Sequence, residues 1–464
     1  MTVARVVSSF RDPSGFLFTR HVTLLRQVQP LYAPHYEKLK SSGLNDALVA
    51  QRLLVPHEEV PLEQAAAPGA AYVLRPVRIP FVSLPYEWCF SQLRAAALLT
   101  LRVQQLALEH GMVLKDASAF NVQFRGTEPV FVDTLSFEQR VEGDAWIAYR
   151  QFCQHVLGPL ALQALVDVRL RDLSRSHLDG VPLDLVSRLL PRRTWLRPWS
   201  MLHLHLHARS IARFASTRIG AAVPAVRSIS TKGIEGIVAH LRGAIESMKC
   251  NGGNTEWGDY EEQLGYDSGE RAAKHTAVAG LLRGLAPSLV IDLGANAGEY
   301  SRIAQECGAR VIAVDGDPAA VERAYARFTA AADPTAVLPL WIDLANPSPA
   351  QGWAHGEWPA LTERTQADVV LALALALIHH LAIGNNVPIP AVLDFLMRLG
   401  RRAIVEWVPK DDPQVKRLLS SRADIFTGYS EERFREAAEA RFRIASRTPI
   451  ASTGRVLYLL EPSA

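Results

Sequence analysis

The chain has 464 residues, of which 48% are hydrophobic and 21% are charged, and these proportions are typical of a globular protein rather than a disordered or fibrous one. Fifty basic residues against 47 acidic ones leave a net charge of +3, which is too small to indicate a polyanionic partner by itself. The four cysteines form no CxxC pair, which excludes a disulfide-rich secreted protein and a zinc ribbon and fits a reducing cytosol.

Neither a targeting segment nor a membrane span is evident in the sequence. The N-terminal residues lack the charged and then apolar pattern of a signal peptide. The longest apolar run, Val369–Ile378, has about half the length that a membrane-spanning helix needs. We therefore predict a cytoplasmic protein without a membrane span, and the sequence leaves its oligomeric state open.

Residues 1–184 mix short β-prone runs with helical patterns and predict an N-terminal α+β domain. Val6–Phe10 and Phe16–Arg20 flank the turn-forming sequence DPSG, which predicts a β-hairpin. Leu93–Glu109 has apolar residues at helical spacing and good helix formers throughout. Pro129–Val132 is a short apolar run that predicts a strand.

Three polar residues lie in and after the loop between that helix and that strand. Asp116 and Asn121 are five positions apart, and Asp133 follows twelve residues later. In an ordinary loop, such side chains make turn hydrogen bonds. The spacing also resembles the catalytic loop and metal-binding aspartate of protein-kinase-like folds. The resemblance implies that Asp116 orients a hydroxyl, while Asn121 and Asp133 hold magnesium at the phosphates of ATP.

This kinase-like pattern is incomplete in several places. Lys115 stands where the family usually has arginine, and the sequence DTL from Asp133 replaces the family's DFG triplet. No lysine matches the phosphate-binding lysine of a small-lobe strand, so Arg26 or Arg75 would have to substitute. Because arginine is a different cation for that task, the departures favour a degenerate nucleotide site.

Residues 185–250 form a region with a strong local charge, and we predict a basic helical connector. Between Leu185 and Ile234 there is no Asp or Glu, but there are nine basic residues, and Trp195 and Trp199 lie among them. Such a surface fits an acidic acceptor, nucleic acid or an anionic membrane face. Alternatively, it is a solvated connector whose arginines pair with carboxylates of the flanking domains.

Residues 251–464 alternate helical patterns with continuous apolar strands, which predicts a parallel sheet covered on both faces. The last two β-prone runs predict a terminal antiparallel hairpin. The predicted helices are Ala272–Leu285, Tyr300–Cys307 and Ala319–Ala331, and the predicted strands are Leu289–Leu293, Val311–Val314, Val337–Ile342, Val369–Leu375, Ala403–Val408, Phe442–Ser446 and Val456–Glu461.

Polar residues follow the first three of these strands. Asp292 and a loop with Gly294 and Gly298 end the first strand, Asp315 ends the second, and Asp343 ends the third. Because the carboxyl ends of parallel strands meet in one crevice, these groups are expected to converge there. An acid after the second strand accepts hydrogen bonds from ribose hydroxyls in nucleotide-binding folds.

The sequences DLGANAG, AVDGDP and WIDLA resemble three motifs of class I S-adenosylmethionine-dependent methyltransferases. The resemblance implies a Rossmann-like, seven-stranded sheet with S-adenosylmethionine bound at its carboxyl edge. It places the methionine moiety near the glycine loop, the ribose at Asp315 and the adenine at Asp343. A dinucleotide oxidoreductase is the rival interpretation, but its GxGxxG spacing does not match this loop. The implied cofactor-binding residues are Asp292, Gly294, Ala295, Asn296, Gly298, Asp315, Gly316, Asp343 and Leu344.

The fourth strand of this region leads to two adjacent histidines, His379 and His380. Methyl transfer from a sulfonium is an in-line displacement, so the enzyme aligns the nucleophile and removes its proton. One of the two histidines is a candidate for that base. A packing role is the alternative, and we predict no metal ligand in the chain.

Three functions are compatible with these patterns. The first is methyl transfer to an unidentified acceptor that the N-terminal domain helps to recruit. The second is a bifunctional kinase–methyltransferase acting on a glycan or a lipid-linked acceptor. The third is a binding scaffold that keeps the cofactor site without turnover.

Overall fold

The computed structural model describes residues 3–216, 228–250, 268–372, 377–420, 423–450 and 453–463. The chain divides into two compact units. Unit 1 comprises Met1–Phe124, Pro129–Gly252 and Gly352–Trp358, and unit 2 comprises Arg125–Glu128, Gly253–Gln351 and Pro359–Ala464.

Unit 1 begins with a five-stranded antiparallel sheet in the order β1-β2-β3-β5-β4. Phe18, Leu25 and Val73 are buried on one of its faces. Its strands are β1 (Val3–Arg5), β2 (Gly15–Arg20), β3 (Thr23–Val28), β4 (His57–Val60) and β5 (Tyr72–Pro76).

The predicted hairpin is present, but its first strand was placed wrongly. The strand ends at Arg5 rather than running through Val6–Phe10. Ser9 lies in a turn, where its backbone N–H donates to the Val6 carbonyl at 3.0 Å and its hydroxyl accepts from the backbone N–H of Leu17 at 2.8 Å. These local bonds replace the ladder that the apolar pattern predicted.

The rest of unit 1 is mainly helical, with two small antiparallel pairs, β6–β9 and β7–β8. The long helix α3 is buried along most of its length. Together with the sheet, these elements confirm an α+β domain. The strands are β6 (Met112–Leu114), β7 (Val122–Arg125), β8 (Glu128–Phe131) and β9 (Phe137–Gln139), and the helices are α1 (Ala33–Ser41), α2 (Leu44–Ala50), α3 (Phe90–Glu109), α4 (Tyr149–Phe152), α5 (Gly158–Leu165), α6 (Leu173–Ser176), α7 (Leu183–Leu189), α8 (Pro198–Ser200), α9 (His207–Ser216) and α10 (Thr231–Ser247).

The described part of the predicted connector, 185–250, belongs to unit 1. Helix α10 buries Ile234, Val238, Leu241 and Ile245, which are spaced three or four residues apart and therefore share one face. This face packs against α3, so the segment is part of the unit's core. The predicted basic residues Arg218 and Arg227 lie outside the described residues.

Unit 2 contains a seven-stranded sheet in the order β12-β11-β10-β13-β14-β16-β15. The neighbouring pairs are parallel from β12 to β14, whereas β16 runs antiparallel to both β14 and β15. This topology confirms the predicted Rossmann-like methyltransferase sheet with its terminal antiparallel hairpin. The strands are β10 (Leu289–Leu293), β11 (Arg310–Asp315), β12 (Val337–Trp341), β13 (Ala367–Ala372), β14 (Gly400–Trp407), β15 (Phe442–Pro449) and β16 (Val456–Pro462).

The helices of unit 2 cover this sheet. Val278 and Leu282 of α11 are fully buried in a core that also includes Val290, Val311 and Val369 from three strands. The helices are α11 (Ser268–Leu285), α12 (Glu299–Glu306), α13 (Pro318–Thr329), α14 (Leu361–Arg364), α15 (Leu377–His379), α16 (Ile389–Leu399), α17 (Pro413–Leu419) and α18 (Glu431–Glu439). Among the helices in the described ranges, none is both long and apolar enough to cross a bilayer.

Candidate functional site

The loop that follows β10 has a backbone with three left-handed residues. Gly294 has φ 69°, Asn296 has φ 49° and Gly298 has φ 83°. A Cβ atom at position 298 would lie 2.5 Å from ring atom Cε2 of Phe328, so glycine is required there for space as well as for φ. The loop therefore folds tightly enough to bring its backbone close to a ligand.

Asp315 at the end of β11 holds this loop in place. Its carboxylate accepts one hydrogen bond from the backbone N–H of Asn296 and another from that of Asp317, both at 2.8 Å. Burial raises the pKa of Asp315 to about 6, despite these two bonds. Because a carboxylate has about four acceptor positions, two remain for the donors of a ligand.

Asp292 and Asn296 each have an oxygen atom that accepts no hydrogen bond from the part of the chain that the structure describes. Oδ2 of Asp292 accepts from the Ser301 hydroxyl at 2.7 Å. No donor among the described residues reaches its Oδ1, nor the buried Oδ1 of Asn296. Burial, together with a smaller effect of the nearby charge of Asp315, raises the pKa of Asp292 to about 7. These oxygens fit a ligand that brings its own donors and positive charge, as the ammonium and sulfonium of S-adenosylmethionine do.

The third predicted position, after β12, is more open. Asp343 is exposed, and its carboxylate accepts from the backbone N–H of Ala345 at 2.8 Å. Leu344 beside it is half-buried. A Cβ atom at Gly316 would lie 3.8 Å from the Cα atom of Asp343, so the ends of β11 and β12 are adjacent. The structure thus brings the three predicted strand ends together.

Lys274 lies near Asp292, and it was not identified from the sequence as a site residue. Its ammonium pairs with Glu406 at 2.8 Å, and both side chains are almost fully buried. The positive charge of Lys274 lowers the pKa of Asp292 and opposes the effect of burial. No motif marks either residue, because Lys274 lies within an ordinary helical pattern and Glu406 within an apolar strand.

His379 and His380 lie beside each other in the segment after β13. Their ring centroids are 4.3 Å apart, with His379 buried and His380 half-buried. Burial lowers the pKa of His380 to about 4, so that ring is neutral at neutral pH. A role as general base stays a prediction for both residues.

Unit 1 contains a cavity of about 650 Å³ that Asp116, Asn121 and Asp133 all line. Burial raises the pKa of Asp116, and the charge of Asp133 adds to this rise. The amide of Asn121 donates to the Ser136 hydroxyl at 3.1 Å. The three residues of the kinase-like pattern therefore share one cavity.

Arg26 of β3 forms an ion pair with Asp133 in this cavity. The hydroxyl of Ser136 also donates to Asp133. Burial alone would raise the pKa of Asp133, but Arg26 and Ser136 together lower it below its usual value. Arg75 instead pairs with the exposed Glu58, so only Arg26 of the two predicted arginines faces the cavity.

Two further residues of this cavity were not predicted. Glu357 is buried and pairs with Arg11 at 2.5 Å, and the Trp358 ring stacks on Phe120 with centroids 4.3 Å apart. Both belong to the segment Gly352–Trp358 of unit 1. Nothing in their local sequence indicates this position. Within the described ranges, no group of three or more His, Cys, Asp or Glu residues has a geometry that could hold a metal ion.

One known protein is similar to this chain over nearly its whole length. The nodulation protein NoeA of Rhizobium meliloti (strain 1021) is 35% identical over 464 residues, which are 99% of this chain and 96% of NoeA. No protein-family model matches the chain.

Among the solved structures, two methyltransferases are similar to a smaller region of this chain. The N-methyltransferase NodS of Bradyrhizobium japonicum WM9 is 15% identical, with a TM-score of 0.32, over 43% of this chain and 99% of its own. Magnesium protoporphyrin IX methyltransferase of Synechocystis PCC 6803 is 20% identical, with a TM-score of 0.31, over 44% of this chain and 94% of its own.

Proposed function

Because the chain belongs to the family of the nodulation protein NoeA and its unit 2 has the methyltransferase fold, we propose that it transfers a methyl group from S-adenosylmethionine to an acceptor that unit 1 helps to recruit. The observation that carries this proposal is the group of buried acceptor atoms at the carboxyl edge of the sheet. Oδ1 of Asp292 and Oδ1 of Asn296 have no donor among the described residues, and Asp315 has acceptor positions to spare.

Each of these residues has a distinct role in the proposed complex. Asp315 accepts hydrogen bonds from the ribose hydroxyls, while Asp343 and Leu344 contact the adenine. Asp292 and the loop from Gly294 to Gly298 surround the charged methionine end. The bound cofactor supplies the electrophilic methyl group, and the protein aligns the acceptor and removes its proton.

A histidine of the segment after β13 is the proposed base. Burial lowers the pKa of His380 to about 4, so that ring is neutral and able to accept a proton at neutral pH. Because adjacent side chains point in different directions, we expect one of His379→Ala and His380→Ala to lower turnover at least about tenfold with cofactor binding retained, and the other to have little effect.

Recruitment by unit 1 is supported better than phosphoryl transfer. The cavity of unit 1 is large enough for a small ligand, but Arg26 and Ser136 already occupy the carboxylate of Asp133. A carboxylate whose negative charge is already compensated by a guanidinium attracts Mg²⁺ less strongly. We therefore propose that unit 1 binds the methyl acceptor and does not transfer a phosphate. An acidic acceptor would also complement the basic residues of 185–234.

Binding and turnover of the full chain test the proposal in two steps. Calorimetry with S-adenosylmethionine and with its demethylated product should show binding at one site per chain. Incubation of a cell extract with the protein and isotope-labelled cofactor should then give a labelled product that mass spectrometry identifies. Cofactor binding without any labelled product would instead favour the scaffold function, and no binding would refute the proposed site.

A further inference from the structure

One side of unit 1 exposes leucines and arginines together. In the π-helical turn Met201–Leu206, Leu202 is 48% exposed and Leu206 is 42% exposed, whereas His203, Leu204 and His205 are buried. Arg209, one turn further along in α9, is exposed as well. These exposed residues recur every three or four positions, so they form one stripe along the outer side of the helical segment.

A second segment adjoins this stripe. The short helical turn Arg192–Leu196 presents Leu196 with 86% of its surface exposed. The Trp195 ring stacks on His205, with centroids 4.2 Å apart, and the Arg209 guanidinium lies 4.4 Å from the centre of the same ring. Because the Trp195 ring contacts both His205 and Arg209, the two segments pack against each other, and we infer that their exposed side chains form one surface. We call it the Arg–Leu surface, and it consists of Arg192, Arg193, Leu196, Arg197, Leu202, Leu206 and Arg209.

The positive charges of the Arg–Leu surface are not neutralised within the described residues. No carboxylate there pairs with Arg192, Arg193 or Arg197, although all three are exposed. Their neighbour Arg188 differs, since it pairs with Asp184 at 3.2 Å. The absence of Asp and Glu from residues 185–234 leaves this surface without local counter-charges. The arginines therefore remain available for an external anion.

We propose that the Arg–Leu surface docks on an anionic phospholipid bilayer. Guanidinium groups bind lipid phosphates, and leucines beside them enter the boundary between headgroups and acyl chains. Nucleic acid and acidic glycans would neutralise the arginines but would leave Leu196, Leu202 and Leu206 in water. Among these three partners, only the bilayer matches both the charge and the exposed apolar side chains. The chain then acts as a peripheral protein at a membrane surface.

Vesicle flotation with the full chain tests this proposal. We expect the protein to float with vesicles of phosphatidylcholine and phosphatidylglycerol, to remain unbound with phosphatidylcholine alone, and to bind less as salt is raised. Each arginine near an anionic surface strengthens binding about fivefold, so Arg193→Glu with Arg197→Glu should lower the partition coefficient at least ~25-fold. Leu196→Ser should lower it several-fold at constant charge.

Matched controls outside the Arg–Leu surface show whether an effect is specific to that surface. Arg283→Glu with Arg401→Glu makes the same change in net charge at exposed positions of unit 2, and Leu31→Ser removes a leucine of unit 1 that is 70% exposed. Both controls should bind vesicles as the unchanged chain does. The proposal is overturned if anionic vesicles do not bind the chain, or if the controls weaken binding as much as the surface variants. It is also overturned if Leu196→Ser has no effect while the chain binds duplex DNA or heparin through the same arginines.

Discussion

Asp315 is the single residue on which the ribose position depends, and its replacement tests that position. Asp315→Ala removes the proposed acceptor of two ribose hydrogen bonds, the bond from Asn296 that holds the glycine loop and the bond from the backbone N–H of Asp317. Charge-assisted hydrogen bonds contribute about 1.5–3 kcal/mol each and do not simply add, so we expect cofactor binding to weaken by on the order of 2–4 kcal/mol. Calorimetry measures this loss directly.

Asp333→Ala provides the matched control for that measurement. Asp333 is an exposed acid of the same unit, and its carboxylate accepts from the backbone N–H and the hydroxyl of Thr335. Its removal changes the net charge equally and should leave the affinity unchanged. Equal affinities of the Asp315→Ala chain and the unchanged chain would show that the ribose binds elsewhere.

The two buried acids also predict a pH dependence of cofactor binding. Burial raises the pKa of Asp292 to about 7 and that of Asp315 to about 6. A cationic ligand favours the ionised carboxylates, so binding must displace their protons below these values. Affinity should therefore fall as the pH decreases from about 7.5 to 5.5 and level off above about 8. Asp292→Asn should flatten the upper part of the profile, and calorimetry at several pH values would reveal a pH-independent affinity if the assignment is wrong.

Among single residues, the acids at the strand ends could be predicted from the sequence, but the ion pairs between residues far apart in the chain could not. Asp292, Asp315 and Asp343 stand out because each ends an apolar strand, and parallel strands end at one edge. Lys274 and Arg26 carry no such signal. Their importance comes from the buried carboxylates opposite them, and those partners are 132 and 107 positions away in the sequence.

The turn between β10 and α12 requires glycine at position 298. Gly298→Ala forces a side chain into the left-handed region and against the Phe328 ring. We expect a loss of about 2–5 kcal/mol in the free energy of unfolding, from backbone strain of about 1–2 kcal/mol and overpacking of about 1–3 kcal/mol. Denaturant unfolding of the chain gives this value.

Gly280→Ala is the opposite case and serves as its control. Gly280 lies inside α11, and a Cβ atom there would meet nothing within 4 Å. Alanine should stabilise the helix by up to about 1 kcal/mol because it restricts the unfolded chain. If both substitutions had the same sign, the argument from the geometry of position 298 would fail.

The strands and the first three helices of unit 2 were predicted to within a few residues, because most of these strands are continuous apolar runs, whereas α14 to α18 were not predicted. The predicted strand Val369–Leu375 ends at residues that lie outside the described ones. Leu289–Leu293 has the same bounds in sequence and structure. The first hairpin of unit 1 was harder, since Val6–Phe10 is apolar enough for a strand but is folded by local bonds of Ser9. The π-helical turns Met201–Leu206 and His380–Gly384 have no pattern that distinguishes them from α-helix.

For the molecule as a whole, the division of the chain was only partly visible in the sequence. The predicted region 251–464 includes Gly352–Trp358, which belongs to unit 1, and the predicted region 1–184 includes Arg125–Glu128, which belongs to unit 2. The unit to which such a short segment belongs depends on the residues that it packs against. Their own hydrophobic pattern does not contain that information.

Two ligands should act on the two units differently, and this is a prediction for the full chain. Saturating S-adenosylmethionine should raise its melting temperature, since a ligand at about 100 times its Kd stabilises the folded state by about 2.7 kcal/mol. ATP with magnesium should leave the melting temperature unchanged, because Arg26 already pairs with the carboxylate of Asp133. Differential scanning calorimetry with each ligand measures both effects.

Two variants serve as each other's controls in this experiment. Asp315→Ala should remove most of the rise caused by S-adenosylmethionine, whereas Asp133→Asn should preserve it, because Asp133 belongs to unit 1 and the proposed cofactor residues belong to unit 2. A rise with ATP and magnesium that Asp133→Asn removes would contradict the degenerate site and would support a kinase-type nucleotide site in unit 1. In that case the pair between Arg26 and Asp133 must open when nucleotide binds, since one carboxylate oxygen has to exchange the guanidinium for the metal.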